Sequence, residues 1–414
     1  MASSAHPGER IREHRKIRHM TVAGLAGAVN ISPSALEKYE SGSRTAPPGT
    51  LVQIARALAV GPERLTGQPY INGAESDDQV QVVIPDLRRI MLTYDSPDDL
   101  PAAPRPLDVL AAEMRHVAQL RQDGAYVPMG PLLPGLLAEL THVALGSTGR
   151  EQMTAFWWLA RGYRAANSLS HKLGYHDLSL TAIERVRWAA DRSGDPLMQV
   201  TGAYLRAGAM IRSGTFQSAR RVLEGLADEV VRLAPEECPT EAHNALLGAI
   251  YLKLAVLEAR DRHPERSAEH LAAADGVTAF MHGRDTDHYE MSFGPSNVRI
   301  HQVAALIESG DTEQALARLR EWGEEQGVAE WEVPGGIVAE RASHHHIDVA
   351  SARLAQGDRH GSLSSLRTAR RLAPAHTRFH PTTRATSAAL LRQERNPSDE
   401  VTGFAHWCGA LTDR

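Results

Sequence analysis

Five glycine-centred turns punctuate the chain: Gln122-Asp123-Gly124-Ala125-Tyr126, Lys172-Leu173-Gly174-Tyr175, Arg212-Ser213-Gly214-Thr215-Phe216, Glu308-Ser309-Gly310-Asp311 and Ala355-Gln356-Gly357-Asp358. Each falls between two amphipathic helix patterns. The glycines are 50, 40, 96 and 47 residues apart, and the 96-residue interval reads as two units with Asp261-Arg262-His263-Pro264 at the middle turn. A near-fixed period, with glycine where a turn needs its freedom, constrains the chain to stacked helical hairpins. From Leu107 onward the sequence is rich in Ala and Leu and almost free of strand pattern. The expectation is an all-α fold whose residues 107–414 form an α-solenoid of about six hairpins, ending in a cap over Pro381 to Arg395.

The first 67 residues follow a different rule. In Thr21 to Gly42, TVAGLAGAVNISPSALEKYESG, two short helix patterns meet across a tight turn. Thr21 is a good N-cap, and Val22, Leu25, Ala26 and Val29 share one face. Asn30 stands at the break, where left-handed dihedrals are needed. Ser32 caps the second helix, Pro33 takes its first position, and Ser41-Gly42 stops it. Ala35, Leu36 and Tyr39 can face inward, leaving Ser34, Glu37 and Lys38 outward. Ile11 and Ile17 mark a preceding helix that packs under the motif, and Leu51, Ile54, Ala55 and Leu58 mark a following one. Residues 62–65 make a short closing helix, five in all.

The whole chain has 414 residues and a net charge of −5, but residues 9–66 carry nine Arg/Lys against five Asp/Glu, leaving −9 for the remainder. A basic head on an acidic body suits a DNA reader with a regulatory domain. Of the 45 basic residues only 4 are lysine, so single arginines say little by themselves. Hydrophobic content of 42% with 23% charge describes a globular protein. The absence of a long apolar run or an apolar leader leads to the expectation of a cytoplasmic protein without a membrane partner. Cys238 and Cys408 lack metal-type spacing and read as small buried hydrophobes.

The order GERIREHR, TVAGLAGAVNISPSALEKYESGSR, LVQIARALAV resembles the xenobiotic-response-element family of phage-repressor-like DNA-binding domains over residues 8 to 67. The resemblance implies base contacts from Pro33, Ser34 and Lys38, with Ser32 beside them at the cap, and phosphate contacts from Thr21 and Arg44. Val22 departs from the family's frequent Gln, and Gly24 and Gly27 weaken their helix by up to about 1 kcal/mol each relative to Ala. Residues 68–106 form an acidic linker with one helix near Pro85 to Tyr94. In the body, Gly214 followed by Ala219 and Leu223, Gly310 by Ala315 and Leu319, and Gly357 by Ser362 and Leu366 share the small-then-large order of the tetratricopeptide repeat. The unit here is longer than that repeat's roughly 34 residues.

Such solenoids present the first helix of each hairpin to a concave groove. Register from the turn glycines puts Arg161, Arg164, Ser168 and His171, then Thr201, Tyr204 and Arg212, then Lys253 and Arg260, then Asn297, then His344 and Ser351 on that side. The groove comes out polar and mostly basic, which points to an anionic ligand or a peptide carboxylate. Asn297 and His344 are 47 residues apart, as are His301 and Asp348, which predicts that each pair stacks on neighbouring helices. Three readings stay open: a ligand groove in which Asn297 bonds an amide, a buried polar network or dimer contact, and a metal site of His301, His344 and Asp348. The expected metal and cofactor complement is none.

No catalytic constellation appears, so an enzyme is not expected. The combination of head and body resembles the peptide-responsive regulators of Gram-positive quorum sensing. It implies a ligand-controlled, homodimeric transcriptional regulator on a pseudo-palindromic double-stranded DNA operator, binding a small molecule or peptide. The rival is an interaction scaffold or antitoxin-like adaptor whose head is secondary.

Overall fold

The computed structural model describes residues 6–69, 80–235, 239–394 and 396–411. Cys238 and Arg395 lie outside them. The described residues are helical, with only isolated bridges at Thr286–Phe293 and Gly335–Ile337. None of their helices is long and apolar enough to cross a membrane.

Five helices make the head: α1 (Pro7–Ile17), α2 (Val22–Ala28), α3 (Pro33–Glu40), α4 (Pro48–Ala57) and α5 (Pro62–Thr66). They close over Ile11, Leu25, Ala26, Leu36, Ile54, Leu58 and Leu65, each at most 1% exposed. Asn30 takes φ 52° at the break between α2 and α3, the conformation its short polar side chain tolerates best after glycine. Arg15 donates to both carboxylate oxygens of buried Glu40, at 2.6 and 2.9 Å, and so ties α1 to the end of α3. One expectation fails here: Ile17 is 59% exposed, because α1 ends where its face turns away from α2.

The body begins earlier than the repeat pattern suggested. The linker helix α6 (Ile84–Leu92) buries Ile84, Leu87 and Met91 in the core of the first hairpins, so this part of the linker is structural. Then come α7 (Leu107–Gln122), the short α8 (Tyr126–Met129) and α9 (Leu132–Gly146). Regular hairpins follow: α10 (Gly149–Leu173) with α11 (His176–Ser193), α12 (Pro196–Arg212) with α13 (Phe216–Leu233), and α14 (Glu241–Arg260) with α15 (Pro264–Thr278). After a loop come α16 (Pro295–Ser309) with α17 (Thr312–Gln326) and α18 (Ala339–Ala355) with α19 (Arg359–Leu372). Three helices close the chain: α20 (Pro374–Phe379), α21 (Pro381–Gln393) and α22 (Asp399–Trp407). Among the described residues five hairpins therefore stand at the expected turns, and at the sixth, Gly124, α7 leads through the short α8 into α9. The last helix, α22, was not anticipated.

At these turns Gly174, Gly214, Gly310 and Gly357 have φ between 74° and 90°, where a Cβ would be strained. Arg262 adopts φ 64° at the one turn without glycine. Inside the hairpins the apolar stripe does the packing: Ala219, Leu223, Leu226 and Val230 bury one face of α13. The small member of the small-then-large pair can also be serine. Ser362 Oγ donates to the Ala350 carbonyl at 2.8 Å, and Ser267 Oγ to that of Ala255 at 2.9 Å, each across a first-to-second-helix contact.

The head rests on the turn ends of the hairpins. Gly49 N–H faces Glu308 Oε2 at 3.3 Å, and a Cβ at Gly49 would stand 3.2 Å from the Arg260 backbone. Val52 packs against Gly214. Arg262 donates to the Asn30 carbonyl at 2.6 Å, and Arg392, from α21, donates to the Gly42 carbonyl at 2.9 Å. The docking surface of the head is thus the α3–α4 loop, the start of α4 and the break before α3.

Candidate functional site

Three regions carry functional side chains. The first is the outer face of α3. Ser32 Oγ accepts from the Ala35 N–H at 3.1 Å and Thr21 Oγ1 from the Gly24 N–H at 3.0 Å, so both hydroxyls act as helix caps. Pro33, Ser34, Glu37 and Lys38 are exposed. Arg44 differs: it is half-buried and lines the seam between head and body.

The second is a cavity of about 190 Å³ on the concave side of the solenoid, walled by the first helices α10, α12, α14, α16 and α18. One wall is electrically settled. Buried Glu290 meets Arg121 and Arg161, each at 2.8 Å, and Arg164 at 3.7 Å. Burial pushes its carboxyl up, but Arg121, Arg164 and Arg161 outweigh that and hold it at about 2. Arg164 also donates to the carbonyls of Tyr289 (2.6 Å) and Glu290 (2.8 Å).

The opposite wall is not settled. Arg212, Lys253 and Arg341 line it without a carboxylate within ion-pair distance among the described residues. Lys253 Nζ lies 3.5 Å from the centre of the Tyr204 ring, its one strong attraction. Burial, and then Arg212, Arg341 and Arg164, push the Lys253 amine well below its usual range. Burial and Arg260 lower Arg212 to about 10. Around these cations, Asn297 Oδ1, His171 Nδ1 and Arg341 Nε are buried without a hydrogen-bond partner among the described residues. Asn297 Nδ2 donates to the Ser292 carbonyl. His301 Nδ1–H donates to the Asn297 carbonyl at 2.8 Å, and burial followed by Arg341 drops its imidazole to about 3.

Of the residues expected to meet a ligand, Arg164, Tyr204, Lys253, Asn297 and His301 share this cavity. Arg161 is engaged by Glu290 instead and lies over the Trp157 and Trp158 rings. His344 and Asp348 line the third region, a cavity of about 310 Å³ in the seam beneath the head. The stacking of His301 with Asp348 across one repeat therefore does not make one site; the two residues open into different cavities. The reason is the docked head, which covers the turn ends of the first helices and divides the groove. His171, Lys172 and Arg212 line both cavities.

Sequence reasoning missed Glu290, which sits in a short 3-10 turn (His288–Glu290) outside any repeat, and Arg341, one turn before His344. No periodic signal marks the first. It also missed His376 and His380, whose four-residue spacing was visible but lay beyond the last hairpin.

With this geometry in hand, comparison with known proteins adds the class of the head: residues 8–66 match the helix-turn-helix domain family and form such a domain. Two relatives from Sinorhizobium fredii, the uncharacterized helix-turn-helix-type transcriptional regulators y4wC and y4aM, are each 38% identical over 61 residues. That stretch is 15% of this chain, and it spans less than half, 43%, of each relative. A solved structure of a PrgX mutant aligns over 97% of this chain and 99% of its own, at 9% identity and a TM-score of 0.23.

Proposed function

We propose that the chain is a sequence-specific DNA-binding transcriptional regulator whose solenoid body takes an anionic small molecule or peptide in its basic cavity. The observation that carries the first half is the free outer face of α3 in a helix-turn-helix domain: the body holds the head by other surfaces and leaves Ser34 and Lys38 available. Lys38 can reach guanine edges or phosphate, and Ser34 can bond to a base edge. Two heads on a homodimer would read half-sites about one helical turn, roughly 10 bp, apart. Thr21 caps α2 and Ser32 caps α3, and Pro33 takes the first position of α3.

The ligand half rests on the unpaired wall. Three cations without a carboxylate at ion-pair distance are satisfied by ligand carboxylate or phosphate oxygens, and the Asn297 Oδ1 acceptor beside them by an N–H or O–H donor on the same ligand. Such an anion stabilises the charged form of Lys253, which burial and the neighbouring arginines disfavour. Coupling has a physical route, because Arg212 and Lys172 face both the basic cavity and the seam on which the head rests.

The test is the affinity of the full chain for DNA duplexes selected from a random pool. Ser34→Ala and Lys38→Ala are expected to lose the selected sequence while the fold is retained. Unchanged affinity in both variants would sink the reading of α3.

A further inference from the structure

Three histidines cluster outside the basic cavity and the outer face of α3. His344 on α18, His376 on α20 and His380 at the α20–α21 junction bring one ring nitrogen each to within 4.8 Å of the other two. Their ring centres lie 4.8, 5.4 and 5.7 Å apart. His376 is fully buried, and its Nε2 has no hydrogen-bond partner among the described residues; the same holds for His380 Nδ1. Two buried imidazole nitrogens without partners, on rings of one cluster, call for an explanation that packing does not supply.

We propose that His344, His376 and His380 form a binding site for a divalent transition-metal ion of the zinc type, with Asp348 or a water as fourth ligand. This does not depend on the reading of the basic cavity. Neutral imidazole is the ligating form. His376 Nδ1 lies 3.2 Å from the Tyr126 hydroxyl, the kind of outer bond that fixes a ligating ring and leaves Nε2 for the metal. Asp348 Oδ2 stands 3.7 Å from His344 Nε2, on the same face one turn on. The nearest cation, Lys172, is offset by Glu340 at 2.7 Å. Zinc bonds of about 2.0–2.1 Å put tetrahedral donors about 3.4 Å apart, so binding draws the three rings inward by side-chain rotation.

The location gives the site a consequence. His344, His380 and Asp348 line the seam cavity together with Tyr39, Gly42 and Pro48 of the head, so a bound ion stiffens the body where the head rests. A second cluster, Glu258, Asp261 and His263, is a weaker candidate, because Arg220 already pairs with both carboxylates at 2.5 and 2.7 Å.

The experiment uses the full chain, stripped with chelator and then titrated with Zn(II) and, in parallel, Co(II). One equivalent of metal per chain is expected, with affinity reduced more than 100-fold in His376→Ala and His380→Ala. Tyr126→Phe, which loses only the outer bond, is expected to weaken binding about 10- to 100-fold. His360→Ala, at an exposed position, serves as the unaffected control. Equal binding in all four variants, or loss in His263→Ala instead, overturns the proposal. Should the alanine variants fail to fold, the wild-type Co(II) spectrum decides: strong tetrahedral bands support nitrogen ligation, and a weak aquo-type spectrum rules it out.

Discussion

The two sides of the basic cavity are both rich in cations and differ in whether a carboxylate meets them. On the Glu290 side three guanidinium groups share one buried carboxylate, and Arg164 adds two carbonyls. On the Lys253 side Arg212, Lys253 and Arg341 have no carboxylate at ion-pair distance among the described residues, because Glu340 is taken by Lys172. The first arrangement is a structural knot that ties the loop before α16 to α7 and α10. The second stores repulsion that an anion would relieve. Basic residues in a groove thus carry no meaning until their partners are counted, and the counting separates scaffold from site within a few ångströms.

The head repeats the contrast. The start of α4 is bound up with Glu308 and Arg260, whereas the outer face of α3 has its backbone capped and its side chains unengaged. Polar groups that the fold satisfies belong to docking, and those it leaves free belong to recognition.

The largest expected effect comes from breaking the settled wall. Glu290→Gln leaves three arginines uncompensated and should cost about 3–5 kcal/mol in denaturant unfolding. Its pH signature has a definite sign. Glu290 titrates at about 2 in the fold against an ordinary value of 4.5, so its contribution, roughly 3 kcal/mol, is present above pH 4.5 and is lost as pH falls toward 2. The variant should therefore lose its deficit relative to wild type over that acid window, and a deficit independent of pH would break the distinction between the walls. Next in size, Lys38→Ala should weaken operator binding by ~1–3 kcal/mol at fixed salt, read by fluorescence anisotropy. On the unsettled wall the sign reverses: Lys253→Met should leave thermal stability unchanged or raise it by about 0.5–2 kcal/mol, since it removes repulsion and keeps the aliphatic packing. The smallest effect is Gly27→Ala in the head. A Cβ there meets nothing within 4 Å, so the helix-propensity gain of up to ~1 kcal/mol should appear in full in calorimetry of the head transition.

How far the sequence carries this picture depends on whether a feature is periodic. Turn glycines, caps and the α3 face obey local rules, so Gly214, Ser32 and Lys38 could be placed by counting, as could the groove positions of Tyr204, Lys253 and Asn297. Glu290 could not, because it lies on a loop turn with non-helical dihedrals that no register reaches. The division of the groove was hidden for another reason. It is made by the head, through contacts between residues more than 200 positions apart, such as Asn30 with Arg262 and Gly49 with Glu308. His344 was read against Asn297 by repeat spacing, yet its neighbours are His376 and His380, which follow the last repeat and obey no period.

The most direct test of the unsettled wall is thermal denaturation of the full chain with inorganic phosphate, pyrophosphate, citrate and an acidic tetrapeptide at constant ionic strength. At least one of these anions should raise the melting temperature of wild type in a saturable manner and fail to do so in Lys253→Met. If no anion exceeds the chloride control, or if Lys253→Met responds as wild type does, the cations of that wall do not form a ligand site.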